Sequence, residues 1–101
     1  MLDVRFRHAV LRGCYEKEAR GRTRWGAKVA RSYIRRINQL FACTSEQDLR
    51  NLPPLRFHAL TGQRKGEYAI DIDGFWRIIL TFEDKAHQIL IIEEVSKHYG
   101  D

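Results

Sequence analysis

Residues 66–82 of the chain read GEYAIDIDGFWRIILTF. Apolar residues alternate with polar or small ones from Tyr68 to Ile72, which is the period of two of a β-strand. Asp73-Gly74 is typical of a two-residue type I′ turn, because that turn needs positive φ at both central positions. A second strand over 75–82 would then pair Ile70 with Arg77. The segment therefore predicts an antiparallel hairpin with an arginine in the middle of its second strand.

The flanking sequence adds helices before this hairpin and one strand after it. Helical spacing predicts helices over residues 8–18, 24–42 and 46–51, with a break at 20–23 and Thr23 as the N-cap of the second helix. Residues 87–95 predict a third sheet strand, and the alternation around Val4 permits a short first strand. Helices followed by strands indicate an α+β fold, with N-terminal helices packed on one face of a small antiparallel β-sheet. The other face is then free to form a site.

Length and composition narrow the class of protein. The chain has 101 residues, 44% of them hydrophobic and 31% charged, so we expect a single domain over residues 1–101. No apolar run approaches the roughly 18 residues of a membrane span, and residues 1–5 lack a signal-peptide core. Only two cysteines are present, which favours a cytoplasmic protein without structural zinc. Phosphate-loop, dinucleotide and zinc-binding motifs are absent from the sequence, so we expect no cofactor and no membrane partner.

The positive charge is concentrated in the N-terminal half. Residues 1–45 hold eleven Lys or Arg against three acidic residues, within a net charge of +5 for the chain. Four of these cations are spaced to share one face of the predicted second helix: Arg24, Lys28, Arg31 and Arg35. This basic ridge has two interpretations, a solvated helix surface or a surface that binds a run of phosphates.

Two histidines and one arginine form the candidate catalytic set. His58 follows a double proline and precedes a basic loop, and His98 follows the last predicted strand. Histidine can donate or accept a proton near neutral pH, and the guanidinium of Arg77 can hold phosphate oxygens in two-pronged fashion. Such a set suits cleavage of RNA without a metal, because the 2′-hydroxyl of RNA supplies the nucleophile. Tyr99 could stack on a base or bind phosphate.

Each of these residues also has a structural interpretation. Arg77 could instead pair across the strands with Asp71 or Glu67. His8 and His87 are interpreted as surface residues. Cys14, in the first predicted helix, is interpreted as a buried packing residue rather than a nucleophile.

Three stretches resemble the HigB branch of the RelE toxin superfamily, the plasmid maintenance killer proteins. They are HALTGQRKGEYAI at 58–70, FWRI at 75–78 and FED at 82–84. The resemblance implies a small α+β toxin that enters the ribosomal A site and cuts mRNA. It also implies a neutralising antitoxin, a HigA-like helix-turn-helix protein. His58, Arg77 and His98 match the catalytic positions of the family, and the basic ridge would face ribosomal RNA.

The chain departs from the family pattern at two places. Thr61 stands where members often have lysine, and Arg64 or Lys65 would replace that phosphate-binding cation. Ser96-Lys97 stands where members often have Asp-Tyr, which leaves His98 and Tyr99 both as candidates for the C-terminal catalytic group. We assign substrate or phosphate binding to four residues: Arg64, Lys65, Lys97 and Tyr99.

Two other functions remain open at this point. ParE-like toxins of the same superfamily poison DNA gyrase, which needs no proton transfer by paired histidines. A non-catalytic RNA-binding module would depend on the basic ridge alone.

Overall fold

The computed structural model describes residues 1–97. Its strands are β1 (Asp3–Phe6), β2 (His58–Ala59), β3 (Tyr68–Asp73), β4 (Trp76–Phe82) and β5 (Ile89–Lys97). Its α-helices are α1 (Ala9–Glu16), α2 (Glu18–Trp25), α3 (Ala27–Ala42) and α4 (Glu46–Arg50). Short 3₁₀ turns at Pro53–Leu55 and Gly62–Arg64 flank β2.

The described strands form one mixed sheet in the order β1-β5-β4-β3-β2. The pairs β2–β3, β3–β4 and β4–β5 are antiparallel, whereas β1 pairs with β5 in parallel. A parallel pair needs a long crossover connection, and here the helices and the hairpin supply it. The predicted α+β class is confirmed. The observed sheet departs from the predicted one in the parallel pair and in the short edge strand β2, which was not predicted.

The hairpin forms where predicted, but its register was predicted wrongly by one residue. Asp73 pairs with Trp76, so the turn residues are Gly74 and Phe75, and Arg77 lies opposite Asp71 rather than Ile70. Of the two turn residues only Gly74 has positive φ, at 54°, as a type II′ turn requires. A register shift between Asp71 and Asp73 accompanies this turn.

The helix boundaries at 17–27 also differ from the prediction. The chain breaks at Lys17 and at Gly26, whose φ is +88°, instead of at 20–23. Thr23 is not an N-cap, because its hydroxyl donates to the carbonyl of Ala19 inside α2. Arg24 therefore belongs to α2, and the other three ridge cations belong to α3.

Gly21 explains why α2 continues through the predicted break. It is buried, and a Cβ at this position would lie 3.2 Å from the Cβ of Ala30 on α3. The glycine lets two helices approach closely, and its conformational freedom is not what the fold uses here.

Thr44 and Gln47 have capping-box spacing, which predicts Thr44 as the N-cap of α4, but the observed N-cap is Ser45, one residue later. The Ser45 hydroxyl accepts a hydrogen bond from the Asp48 amide at 3.3 Å, and the Asp48 carboxylate accepts one from the Thr44 amide at 2.7 Å. These bonds satisfy amide groups that a helix start leaves open.

The core lies between α3 and one face of the sheet. Alternate residues of β3, β4 and β5 and the apolar side of α3 supply fully buried side chains, among them Tyr33, Ile37, Leu40, Ile70, Ile78, Leu80, Leu90 and Ile92. Burying each such aliphatic side chain stabilises the fold by about 1.5–3 kcal/mol. No helix within residues 1–97 is long and apolar enough to cross a membrane.

Two expectations about single core positions have different outcomes. Cys14 is fully buried, as predicted, and burial raises the pKa of its thiol, which makes it a poor nucleophile. The helical spacing of Phe41 from Ile37 predicts it on the apolar face of α3, but it is 48% exposed. Its ring packs on Phe6 and Tyr15 at the edge of the core, with centroid distances of 6.3 and 5.6 Å.

Tyr33 provides a test of the core that is independent of function. Its buried hydroxyl donates to the Leu11 carbonyl at 2.7 Å, and burial raises the pKa of Tyr33. Replacing Tyr33 by Phe removes this buried hydrogen bond, so we expect the free energy of unfolding in urea to fall by about 0.5–1.5 kcal/mol. Tyr15→Phe, which removes an exposed bond to Asn38, should change it by less than about 0.5 kcal/mol. Equal effects of the two variants would contradict this account of the Tyr33 bond.

Candidate active site

A cavity of about 670 Å³ opens at the end of the β3–β4 hairpin beside the short edge strand β2. Its walls come from β2 and the following loop, from β3, and from the turn and start of β4. The lining residues are Arg56, His58, Ala59, Leu60, Thr61, Arg64, Asp71, Gly74, Phe75, Trp76 and Arg77. Two of the three predicted catalytic residues, His58 and Arg77, therefore face the same space.

The register of the sheet explains this meeting. His58 pairs with Ala69 on β3, and Arg77 on β4 pairs with Asp71. Paired residues of neighbouring strands point to the same face of a sheet, and Ala69 and Asp71 are two residues apart, so His58 and Arg77 share one face. The strands β2 and β4 are separated by about 10 Å.

His58 is held by a bond that fixes its tautomer. Its Nδ1 lies 2.6 Å from the carbonyl oxygen of Arg56, and a carbonyl can only accept, so Nδ1 carries the hydrogen. Nε2 is then the ring nitrogen of the exposed His58 that can take a proton. Arg56 adopts the left-handed conformation, with φ 49° and ψ 46°, directly after the proline turn.

Arg77 is half-buried and forms no ion pair with any residue in 1–97. The alternative pairing with Asp71 does not occur, because the Asp71 carboxylate bonds Arg56 at 3.2 Å. Glu67 is likewise held by Arg64. The buried Nε of Arg77 has no hydrogen-bond partner. An unpaired buried donor is costly, and the acidic side chains of Asp71 and Glu67 are engaged by other arginines, so the guanidinium charge of Arg77 is not neutralised by them.

The residues assigned to phosphate binding differ in their placement. Arg64 lines the cavity, but its guanidinium is paired with Glu67 at 3.0 Å and Glu94 at 2.7 Å. Lys65 is exposed and is not among the lining residues. Lys97 places its ammonium 5.2 Å from the ring centroid of the lining residue Trp76. Arg64 therefore has less free charge for phosphate than the sequence predicted.

His98 and Tyr99 lie outside the described residues. The preceding residues of β5 are placed, and they lead to the site: Ser96 pairs with Arg77 and Lys97 pairs with Trp76. The buried Ser96 hydroxyl, like the Arg77 Nε, has no hydrogen-bond partner. The role of the C-terminal candidates stays a prediction.

The basic ridge is exposed and comes close to the cavity at one point. Lys28, Arg31 and Arg35 lie on α3 and Arg24 on α2, all of them exposed. The ammonium of Lys28 lies 3.7 Å from the carboxylate of Asp73, next to the hairpin turn. The ridge therefore leads across the helices toward the cavity rim.

The remaining histidines lie away from the cavity. His8 is exposed, as predicted. His87 is only half-exposed. Its ring stacks on Phe82 with 4.1 Å between the ring centroids, and its Nδ1 lies 2.7 Å from the Glu46 carboxylate. This bond holds the pKa of Glu46 below its usual value. Among the residues placed, no three His, Cys, Asp or Glu side chains are grouped to hold a metal ion.

Sequence reasoning missed three cavity residues: Arg56, Phe75 and Trp76. Arg56 stands two positions before His58, and that proximity in the sequence was the available signal. Phe75 and Trp76 were treated as ordinary strand residues because the turn was placed one residue too early.

The comparison with protein families identifies the chain. A model of the RelE-like toxin of the type II toxin–antitoxin system HigB matches residues 4–93. The chain belongs to this family. The resemblance inferred from the sequence is thereby confirmed, and this HigB-like chain is a toxin of a type II toxin–antitoxin system.

Solved structures of related toxins share the fold of the HigB-like chain. YafQ from E. coli strain BL21(DE3) superposes with a TM-score of 0.63 at 16% identity, over 99% of this chain and 100% of that one. A YoeB/ParE toxin from Agrobacterium tumefaciens gives 0.56 at 17% identity, over 97% and 100%. The RelBE2 toxin–antitoxin complex from Mycobacterium tuberculosis gives 0.55 at 18% identity, over 96% and 98%. A search of curated proteins gave no match.

Proposed function

We propose that this toxin is a metal-independent endoribonuclease that cuts mRNA in the A site of the ribosome and so stops translation. The observation that carries the proposal is the cavity that His58 and Arg77 line together. A titratable imidazole with a free Nε2 faces a guanidinium that has no partner within the described chain. This combination suits phosphodiester cleavage by proton transfer.

The reaction assigns a role to each group. Nε2 of His58 takes the proton of the 2′-hydroxyl, whose oxygen attacks the adjacent phosphorus. Arg77 stabilises the additional negative charge of the pentacoordinate phosphorane. The bond from phosphorus to the 5′-oxygen then breaks, and an acid supplies that oxygen with a proton. His98 or Tyr99 would be this acid. The products are a 2′,3′-cyclic phosphate and a new 5′-hydroxyl end.

The basic ridge supports the ribosome as the place of action. Arg24, Lys28, Arg31 and Arg35 would bind phosphates of ribosomal RNA, since exposed cations gain affinity by releasing counterions from nucleic acid. Lys65 and Lys97, both exposed, would bind flanking phosphates of the message, with Arg64 and Tyr99 at the cavity. The cognate antitoxin would be a HigA-like helix-turn-helix protein.

Primer extension on a reporter message tests the proposal. Cells that express the toxin alone should stop growing and accumulate new 5′ ends inside translated regions. An untranslated copy of the same message, without a start codon, should stay intact because the cut requires a ribosome. Growth arrest without new 5′ ends would overturn the ribonuclease assignment and favour a gyrase poison.

A further inference from the structure

We propose that the exposed ring of Phe75 stacks on an unpaired base of the RNA whose phosphate binds Arg77. This inference rests on the proposed function and adds a base-binding subsite to the phosphate site. The subsite would take single-stranded RNA, because the faces of bases in a duplex are already covered by their neighbours.

Phe75 lies at the tip of the β3–β4 hairpin and is 65% exposed. A single exposed apolar side chain is common on protein surfaces and needs no explanation by itself. The position of Phe75 is unusual because this residue lines the same cavity as His58 and Arg77. The two-residue turn and the positive φ of Gly74 fix the backbone that carries the ring.

The distance between the two contacts suits one nucleotide. Phe75 ends the turn and Arg77 is two positions further along, so their Cα atoms are at most about 7 Å apart, which is comparable with the separation of phosphate and base within a nucleotide. The cavity of about 670 Å³ lies within the range of sites that hold small ligands.

The surroundings of the ring favour a nucleic acid over an apolar peptide. Trp76 lines the same cavity, and the ammonium of Lys97 lies 5.2 Å from its ring centroid. Arg56 and Arg77 line this cavity as well. Aromatic rings among cations are the pattern by which proteins bind single strands, with bases on the rings and phosphates on the cations.

The test uses short oligoribonucleotides whose 2′-O-methyl groups block the attacking hydroxyl, so that binding is measured without cleavage. One oligonucleotide carries every base, and each of the others carries one abasic position. We expect the purified toxin to bind the intact strand about 5- to 100-fold more tightly than the abasic strand that removes the stacked base.

Three substitutions at one position separate stacking from apolar contact. Phe75→Ala and Phe75→Leu should bind the intact strand and the strand that lacks the stacked base with equal affinity, because neither side chain has a π-face. Phe75→Tyr should keep the difference. Phe41→Ala, which removes another exposed phenylalanine far from the cavity lining, should behave as the unaltered protein. If only the Ala and Leu variants lose the preference for the intact strand, the Phe75 ring and the missing base are energetically coupled, as a double-mutant cycle measures.

The inference is overturned if the unaltered toxin binds every abasic strand with the same affinity as the intact strand. It is equally overturned if the toxin binds none of the strands. It is also overturned if Phe75→Leu discriminates as the unaltered toxin does. New 5′ ends in cells together with any of these results would leave the proposed ribonuclease function standing and reject only the stacking. Discrimination by Phe75 without any new 5′ ends would reject the ribonuclease and keep the base-binding subsite.

Discussion

Replacing Arg77 by alanine is expected to lower the rate of mRNA cleavage on purified ribosomes by about 10²–10³-fold. Arg77 lines the cavity and forms no ion pair within residues 1–97, so its charge is available to a phosphorane that carries one more negative charge than the bound phosphate. The variant should lose transition-state stabilisation and therefore fail to arrest growth. Single-turnover cleavage at saturating toxin measures this rate without the contribution of binding.

Two further variants show whether position 77 needs the guanidinium itself. Arg77→Lys keeps the charge and loses the two-pronged geometry, so its rate should lie between those of the alanine variant and the unaltered toxin. Arg12→Ala removes an exposed arginine of α1 outside the cavity and should cleave at the normal rate. A fully active Arg77→Ala toxin with normal thermal stability would remove Arg77 from the mechanism.

Replacing His58 by alanine should lower the cleavage rate by about 10²–10⁴-fold, the usual contribution of a positioned general base. The bond from Nδ1 to the Arg56 carbonyl leaves Nε2 as the proton acceptor. His58→Gln should be equally slow, since its amide can still donate to that carbonyl but cannot take a proton. The same single-turnover assay measures both variants.

Added imidazole separates a proton-transfer role of His58 from a structural one. In His58→Ala the side-chain space is open to the cavity, so imidazole in the buffer should restore part of the cleavage rate. His8→Ala, which removes an exposed histidine elsewhere, should retain full activity and show no response to imidazole. Normal cleavage by both His58 variants would assign the base to another residue.

Much of the fold could be predicted because its strongest signals are local. The alternation at 68–72 and the helical spacing of α3 report which side of each element faces the core, and burial enforces both. The errors arise where a contact distant in sequence decides. Gly21 looks like a helix breaker, but its missing side chain is what lets α2 pack against Ala30.

The candidate site could be predicted in its residues but not in its arrangement. His58 and Arg77 were found from their chemistry, and the sheet register brings them together. Nothing local in the sequence indicates that Asp71 bonds Arg56 rather than Arg77, because the choice depends on the backbone conformation after the double proline. The turn was misplaced because the tripeptide Asp73-Gly74-Phe75 permits two turn types, and only the paired strands distinguish them.

The double ion pair of Arg64 has a consequence for the cost of substrate binding. Arg64 connects the loop after β2 to Glu67 and, across the sheet, to Glu94 on β5. One rim of the cavity is thereby preorganised before any RNA arrives. The entropic cost of ordering that rim is met when the chain folds, so binding of a message does not add this cost.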